Sequence, residues 1–147
     1  MPTIFLVEDN ATDVELFRLA LQEACVDCDL VIFQDGGEII DHIRQADSPL
    51  SQPGPDLIML DLNLPKSGGL EVLQVIREAP SFAKVPIAVL SSSSSPRERA
   101  QLSAFNIREF IVKSPDLDVY LKVGSVVRTL LHESESKPTV AVARVEL

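Results

Sequence analysis

The 147-residue sequence contains only two cysteines and two histidines, and its 13 basic residues are outnumbered by 22 acidic ones. The formal net charge of −9 argues against general nucleic-acid binding, which needs a basic surface to meet phosphates. No stretch approaches the roughly 20 apolar residues of a membrane-spanning helix. The opening residues, MPTIFLVEDN, carry no basic segment and their apolar run stops at Glu8. We therefore expect no signal peptide, no membrane partner and a cytoplasmic location.

Cys25 and Cys28 form a C-x-x-C pair, a spacing also found in redox and metal sites. The pair falls at the predicted end of a helix, whereas a reactive cysteine is favoured at a helix N-terminus. His42 and His132 lie on other predicted helices. We therefore expect two reduced thiols without a catalytic or metal-binding role.

An apolar content of 46% is typical of a globular chain, and the length suits one domain with a sizeable core. We expect this domain to cover residues 1–132 and a C-terminal extension to cover residues 133–147. The extension begins with a polar linker, ESESKP, and ends in TVAVARVEL, which alternates weakly and is rich in valine. Two interpretations remain open for its last nine residues: a frayed tail, or a strand that pairs with an exposed sheet edge of a second subunit.

Short continuous apolar runs recur along the chain and predict strands whose two faces are both covered. Segments with helical apolar spacing separate these runs. The pattern predicts an α/β fold: a doubly wound, five-stranded parallel sheet of flavodoxin-like order 2-1-3-4-5 with helices on both faces. The predicted strands are Ile4–Val7, Leu30–Phe33, Leu57–Leu60, Ile87–Leu90 and Phe110–Val112.

Capping signals mark where three of the predicted helices begin. Thr12–Glu15 has the S/T-x-x-E pattern of a capping box before the first helix, which runs to about Cys25. Ser95–Glu98 has the same pattern, with proline at the favoured first position, before a fourth helix at about 96–105. Ser114–Asp116 opens the last helix by the same logic. The second helix is marked by isoleucines at 39, 40 and 43, and the third ends near Pro80.

Four of the predicted strands are followed at once by polar side chains. In the stretch DLIMLDLNLPKSGG a buried strand ends on Asp61. The first strand is followed by Glu8 and Asp9, the fourth by Ser91 and the fifth by Lys113. Because the carboxyl ends of parallel strands share one sheet edge, where open α/β sheets bind ligands, we expect these side chains to lie together.

These side chains are of the types that bind a metal ion and a phosphoryl group. Carboxylates held close together repel unless a cation neutralises them, and hard oxygen ligands in an incomplete cage suit Mg²⁺. A lysine offers a compact charge to a phosphate oxygen or a carboxylate, and a serine hydroxyl can donate to another phosphate oxygen. A carboxylate can itself act as a nucleophile and form an acyl phosphate. The edge therefore suits phosphoryl transfer, which needs in-line positioning and charge neutralisation.

The same residues resemble the response-regulator receiver domain. The resemblance is carried by Glu8-Asp9-Asn10, by Asp61 in a D-x-x-x-P-x-x-x-G pattern with Pro65 and Gly69, and by the spacing to Ser91 and Lys113. It covers about residues 3–132. It implies that Asp61 accepts a phosphoryl group from the histidine of a kinase, and that the protein acts as a phosphorylation switch.

The resemblance also implies the metal ligands and the switch residues. Asp9 and Asp61 would hold Mg²⁺ or Mn²⁺ together with the backbone carbonyl of Asn63, and Glu8 would act through a water. Ser91 and Lys113 would bind the phosphoryl oxygens. Phe110 stands at the family's aromatic switch position, coupled to Ser91, although an aromatic residue on a short strand can equally be plain core. Residues 96–132 would carry the signal to partners.

Finer features resemble the regulators that serve bacterial phytochromes. These features are serine rather than proline after Lys113, a proline-rich insertion at 46–55, the run LDLNLPK, and no output domain after the last helix. The likeness implies a phytochrome-type histidine kinase as partner, a downstream protein or phosphotransfer partner, and a homodimer formed through the last helix and the C-terminal extension. The family commonly has a cis peptide bond to a proline after the lysine, and here Ser114 leaves the geometry of that bond open.

Two alternatives compete with the switch. An aspartate nucleophile with Mg²⁺ also serves phosphatases of the haloacid dehalogenase type, but these require D-x-D on the first strand, whereas DLN here follows the third. The second alternative is a phosphorylation-independent interaction module with the receiver fold. The complete set of site residues favours the switch. We therefore expect no enzyme activity beyond phosphorylation and dephosphorylation of the chain's own Asp61.

Overall fold

The computed structural model describes residues 1–46, 54–64, 68–93 and 95–133. All strand pairings in its five-stranded sheet are parallel, and the strand order is β2-β1-β3-β4-β5, which confirms the predicted flavodoxin-like arrangement. Most of the proline-rich segment (residues 47–53), Pro65 and the C-terminal extension after Glu133 lie outside the described residues. The strands are β1 Thr3–Val7, β2 Asp29–Phe33, β3 Leu57–Asp61, β4 Ile87–Ser91 and β5 Glu109–Val112.

Helices follow the strands in alternation, as the apolar spacing predicted. Two of them differ in detail from the prediction. The fourth ends at Leu102 and continues as a 3₁₀ turn over Ser103–Phe105, and the last is split by a turn at residues 121–122. No helix among the described residues is both long and apolar enough to cross a membrane. The helices are α1 Ala11–Glu23, α2 Gly36–Ala46, α3 Gly69–Glu78, α4 Pro96–Leu102, α5 Leu117–Tyr120 and α6 at residues 123–133.

The predicted capping residues were partly wrong. α1 is capped by Asn10, whose side chain accepts a hydrogen bond from the backbone N–H of Asp13 at 3.1 Å, and not by Thr12. Asparagine and threonine are both good N-cap residues, so the capping-box pattern that begins two residues later, at Thr12, predicted the wrong cap. Ser95 is the cap residue of α4 as predicted, but its side chain makes no capping hydrogen bond. α5 is capped by Asp116 and not by Ser114.

The core consists of two layers, one on each face of the sheet. Every residue of β3 and β4 is buried, as expected for central strands covered on both faces. Alternate strand residues supply the two layers, since successive side chains point to opposite faces. Phe5 and Leu60 pack in the layer that includes α2 and α3, whereas Leu6 and Met59 pack in the layer that includes α1 and α6.

Strand register places the functional edge. Val7 lies opposite Leu60, Asp61 opposite Leu90, and Ser91 opposite Val112. Asp61 and Ser91, together with Glu8 after Val7 and Lys113 after Val112, therefore emerge at the same edge of the sheet. Two packed layers of side chains hold the strand ends that carry them.

α6 packs so closely on α1 that one position requires glycine. A Cβ atom on Gly124 would collide with the backbone carbonyl of Ala20 and lie 2.9 Å from the Cβ of Ala24. The helix break at residues 121–122 immediately precedes this contact. Gly124 therefore sets the distance between the last helix and α1.

Gly124→Ala is expected to lower the free energy of unfolding by about 2 kcal/mol, because the overpacking cost exceeds the roughly 1 kcal/mol that alanine gains in a helix. Urea unfolding monitored by circular dichroism measures the change. Gly68→Ala is the control, since a Cβ there meets no atom within 4 Å. It should change stability by less than about 1 kcal/mol. Equal effects of the two substitutions would contradict the close packing.

Candidate functional site

The Lys113 ammonium lies at the centre of the edge. Its Nζ donates to Glu8 Oε1 at 2.8 Å, to Asp13 Oδ2 at 2.8 Å and to Asp61 Oδ2 at 3.0 Å. An ammonium has three N–H donors, so all of them are used. The lysine thus ties the ends of β1, β3 and β5 to the first turn of α1.

Burial makes this pairing necessary. Glu8 is 2% exposed and Asp61 is 3% exposed, and a buried carboxylate is costly unless it is paired. Burial, reinforced by the hydrogen bond with Asp61, raises the pKa of Glu8 to about 8, against the opposing effect of Lys113. Burial alone would lower the pKa of Lys113, but its hydrogen bonds to Asp13, Glu8 and Asp61 outweigh this and raise it.

Three of the predicted metal ligands come together. Carboxylate oxygens of Glu8, Asp9 and Asp61 all lie within 4.8 Å of one another, and Asp9 is exposed. One ammonium leaves this acidic group with an excess of negative charge, which a divalent cation would offset. The donors are all hard oxygens, so the residues present fit Mg²⁺ or Mn²⁺.

Asn63 is held beside the Asp61 carboxylate. Its backbone N–H donates to Asp61 Oδ1 at 2.8 Å, and its side-chain Nδ2 donates to Ser92 Oγ at 2.8 Å. The start of the loop after β3 is therefore tied both to Asp61 and to the loop after β4. The contribution of the Asn63 carbonyl to metal binding stays a prediction.

Ser91 is fully buried, and its hydroxyl contacts α4. Ser91 Oγ donates to Glu98 Oε1 at 2.6 Å and accepts a hydrogen bond from the backbone N–H of Ser93 at 3.1 Å. Sequence reasoning assigned this hydroxyl to phosphoryl oxygens. In this structure its only proton is held by a carboxylate on the next helix.

Phe110 is half-buried and packs against the core layer that includes α2 and α3. The guanidinium carbon of Arg99 lies 4.6 Å from the centre of its ring, a cation–π distance. The structure therefore agrees with a packing role for Phe110 and also joins it to the middle of α4.

Among the described residues no peptide bond is cis, so the bond between Lys113 and Ser114 is trans. Ser114 Oγ accepts a hydrogen bond from the backbone N–H of Asp116 at 3.1 Å. The loop after β5 therefore reaches the last helix without the cis bond that is common in the family that the sequence resembles.

Comparison with known proteins agrees with this geometry. The family model of the response regulator receiver domain matches residues 4–123. The response regulator Rcp1 of Synechocystis sp. is 30% identical over 135 residues, which cover 92% of each chain. The structure of the phosphorylated cyanobacterial phytochrome response regulator RcpA has a TM-score of 0.78 at 33% identity and covers 90% of this chain and 95% of that chain. The Mn²⁺-bound form of Rcp1 has a TM-score of 0.76 at 31% identity, with 88% and 93% covered.

The chain belongs to the response-regulator receiver family. It is a signalling protein of two-component systems, whose receiver domains are phosphorylated on an aspartate and interact with histidine kinases. Its fold, its acidic edge and its relatives among phytochrome response regulators agree with the resemblance drawn from the sequence.

Sequence reasoning missed two residues of this receiver site, Asp13 and Glu98. Both were interpreted only as helix-start residues, and both instead bind a site side chain. The available signal was that the helices that follow β1 and β4 begin at the same sheet edge as the site, and this does not tell which of their side chains bind Lys113 and Ser91. The buried Tyr120 hydroxyl also approaches the Asp13 carbonyl at 3.5 Å, and burial, followed by the nearby Asp13 charge, raises the pKa of Tyr120 to about 12.

Lys113→Met is expected to lower the free energy of unfolding by about 3 kcal/mol in EDTA, because it leaves buried carboxylates without their counter-ion. The loss should shrink in saturating Mg²⁺, since a cation bound only by the folded state then offsets the charge. Urea unfolding in the two buffers measures both effects.

Lys122→Met is the matched control, since Lys122 is exposed in the turn between α5 and α6. It should change stability by about 0.5 kcal/mol or less in either buffer. A Lys113→Met deficit of the same size with and without Mg²⁺ would contradict a shared role of lysine and cation at the edge.

Proposed function

We propose that Asp61 is the phosphoacceptor and that the protein takes its phosphoryl group from the phosphohistidine of a histidine kinase. One observation carries this proposal: a buried carboxylate at the end of a central strand, with an ammonium at 3.0 Å and two further carboxylates beside it. A purely structural strand end would gain nothing from this arrangement, because burying two neighbouring carboxyl groups is costly.

The transfer exchanges one bond for another. An oxygen of the Asp61 carboxylate attacks phosphorus, the bond from phosphorus to the imidazole nitrogen breaks, and the imidazole leaves with the electron pair of that bond. The product is an acyl phosphate on Asp61. Attack of water on phosphorus later breaks the bond between Asp61 and phosphorus, and releases inorganic phosphate and the free carboxylate.

Glu8, Asp9 and Asp61, with the Asn63 carbonyl, are the residues that would hold Mg²⁺ or Mn²⁺. When bound, the cation supplies positive charge against the carboxylates and the incoming phosphoryl oxygens. The clustered oxygens and the Mn²⁺-bound form of the relative Rcp1 support this ligand set.

Lys113 and Ser91 are the donors for the transferred group. An N–H of Lys113 that now reaches Asp61 Oδ2 would serve a phosphoryl oxygen instead, and the Ser91 hydroxyl would serve another. Ser91 and Phe110 would then change position together as the switch. The contacts that Lys113 and Ser91 make with the phosphoryl group exist in only one of the two states, so they would bias the equilibrium toward that state.

Incubation with acetyl phosphate or phosphoramidate should give a single phosphoryl adduct by intact-protein mass, dependent on Mg²⁺. Asp61→Asn should abolish the adduct, whereas Asp9→Asn should slow its formation at limiting Mg²⁺. Asp41→Asn, an exposed aspartate on α2, is the control and should react like the wild type.

The same experiment distinguishes the phosphorylation switch from the phosphorylation-independent interaction module. An adduct that survives Asp61→Asn would place the acceptor elsewhere. If neither small donors nor a phosphorylated histidine kinase modifies the protein, the phosphorylation switch is wrong and the phosphorylation-independent interaction module stands.

The kinase that we propose is of the phytochrome type. The relative RcpA, named as a cyanobacterial phytochrome response regulator, supports this. Radiolabelled phosphotransfer should be faster from a phytochrome-type kinase than from an unrelated histidine kinase that is phosphorylated to the same extent.

The signal would pass to a downstream protein or phosphotransfer partner. The cytoplasmic location stays a prediction of the sequence.

We also propose a homodimer through the last helix and the extension at residues 133–147, with residues 1–132 as the receiver domain. Exposed apolar side chains of Val112, Leu117 and Val119 near the last helix support a protein contact there. Deleting residues 134–147 should convert the dimer into a monomer in sedimentation velocity. A full-length chain that is monomeric at all concentrations would contradict the dimer.

A further inference from the structure

The hydrogen bond between Ser91 and Glu98 has a consequence for the switch. A hydroxyl carries one proton, and here Glu98 accepts it at 2.6 Å. Ser91 can therefore donate to a phosphoryl oxygen only after this bond breaks. We propose that Glu98 is a positioning residue that restrains Ser91 and so sets how readily the site accepts a phosphoryl group, an inference that rests on the proposed function of Asp61.

The surroundings of Ser91 make this restraint effective. Ser91 is 0% exposed, so bulk water does not reach its hydroxyl to replace Glu98 in this structure. The backbone N–H of Ser93 donates to the same oxygen and fixes it from a second side. A hydrogen bond to an ionised acceptor is about twice as strong as one between neutral groups. The bond to Glu98 is thus a real competitor of a phosphoryl oxygen.

Release of Ser91 would change α4 as well. The half-buried Glu98 carboxylate would lose this donor, and hydration in solvent would then be favoured. The next residue, Arg99, lies over the ring of Phe110. The same stretch of α4 therefore contacts both Ser91 and Phe110, which gives a physical route by which the state of one is felt at the other.

A simpler explanation must be separated from this one. Removing Glu98 also removes a negative charge near an anion-binding edge, which would favour a phosphoryl group with no restraint of Ser91 involved. The two effects differ in their dependence on the hydroxyl. The charge effect persists when Ser91 is replaced by alanine, whereas the restraint disappears with the hydroxyl, so a double-mutant cycle distinguishes them.

The experiment is a calorimetric titration with fluoroberyllate in saturating Mg²⁺, because this probe bonds to a carboxylate oxygen and mimics a phosphoryl group. Glu98→Ala should bind it about tenfold more tightly than the wild type, since one hydrogen bond to a charged group no longer has to be broken. Glu98→Gln keeps an acceptor and should gain less. In the Ser91→Ala background, Glu98→Ala should change the affinity by less than about twofold.

Glu71→Ala is the matched control, because Glu71 is an exposed acid in the first turn of α3 and should bind like the wild type. Urea unfolding checks that each variant is folded, and Glu98→Gln carries the test if the alanine variant is not. Unchanged or weaker binding by Glu98→Ala overturns the restraint, as does a gain that persists without the Ser91 hydroxyl. If the wild type itself neither binds fluoroberyllate nor forms a phosphoryl adduct, it is the proposed function of Asp61 that fails.

Discussion

The three hydrogen bonds of the Lys113 ammonium are the interaction on which the site depends. Two carboxyl groups that are almost inaccessible to water, Glu8 and Asp61, lie at the ends of adjacent strands, and the lysine offsets the cost of their burial by pairing with both. The register of β1, β3, β4 and β5 brings the lysine to them across the sheet. The two core layers that cover the central strands therefore serve the site, because they prevent the strand ends from moving apart.

The resting site satisfies its own hydrogen bonds. Within the part of the chain that the structure describes, no buried side-chain nitrogen or oxygen lacks a partner. Lys113 uses all three donors on carboxylates, and Ser91 uses its single proton on Glu98. A phosphoryl group on Asp61 would therefore not fill vacant donors. It would take donors from partners that already hold them, so the chemistry of those partners decides how far the equilibrium moves.

The sequence could predict the residues at the strand ends better than it could predict their hydrogen-bond partners. Strand ends were predictable, because parallel strands place every carboxyl end at one edge and the apolar runs marked where Asp61, Ser91 and Lys113 stand. The partners of these residues were not. The positions of Asp13 and Glu98 fit local capping patterns, and only the placement of α1 and α4 against the sheet shows that they bind Lys113 and Ser91 instead.

Lys113 and Ser91 are hydrogen-bonded to different helices, and this decides where a signal can leave the site. Asp13, the partner of Lys113, is in α1, whose packing on α6 is so close that only glycine fits at position 124, so α1 has little freedom to move. Glu98 is in α4, a helix of seven residues that lacks a side-chain cap hydrogen bond. The contact that α4 makes with Ser91 is therefore less constrained by its surroundings than the contact that α1 makes with Lys113. A phosphoryl group that takes the Ser91 proton from Glu98 would free α4, whereas Asp13 can keep its hydrogen bond to Lys113 and α1 can stay in place.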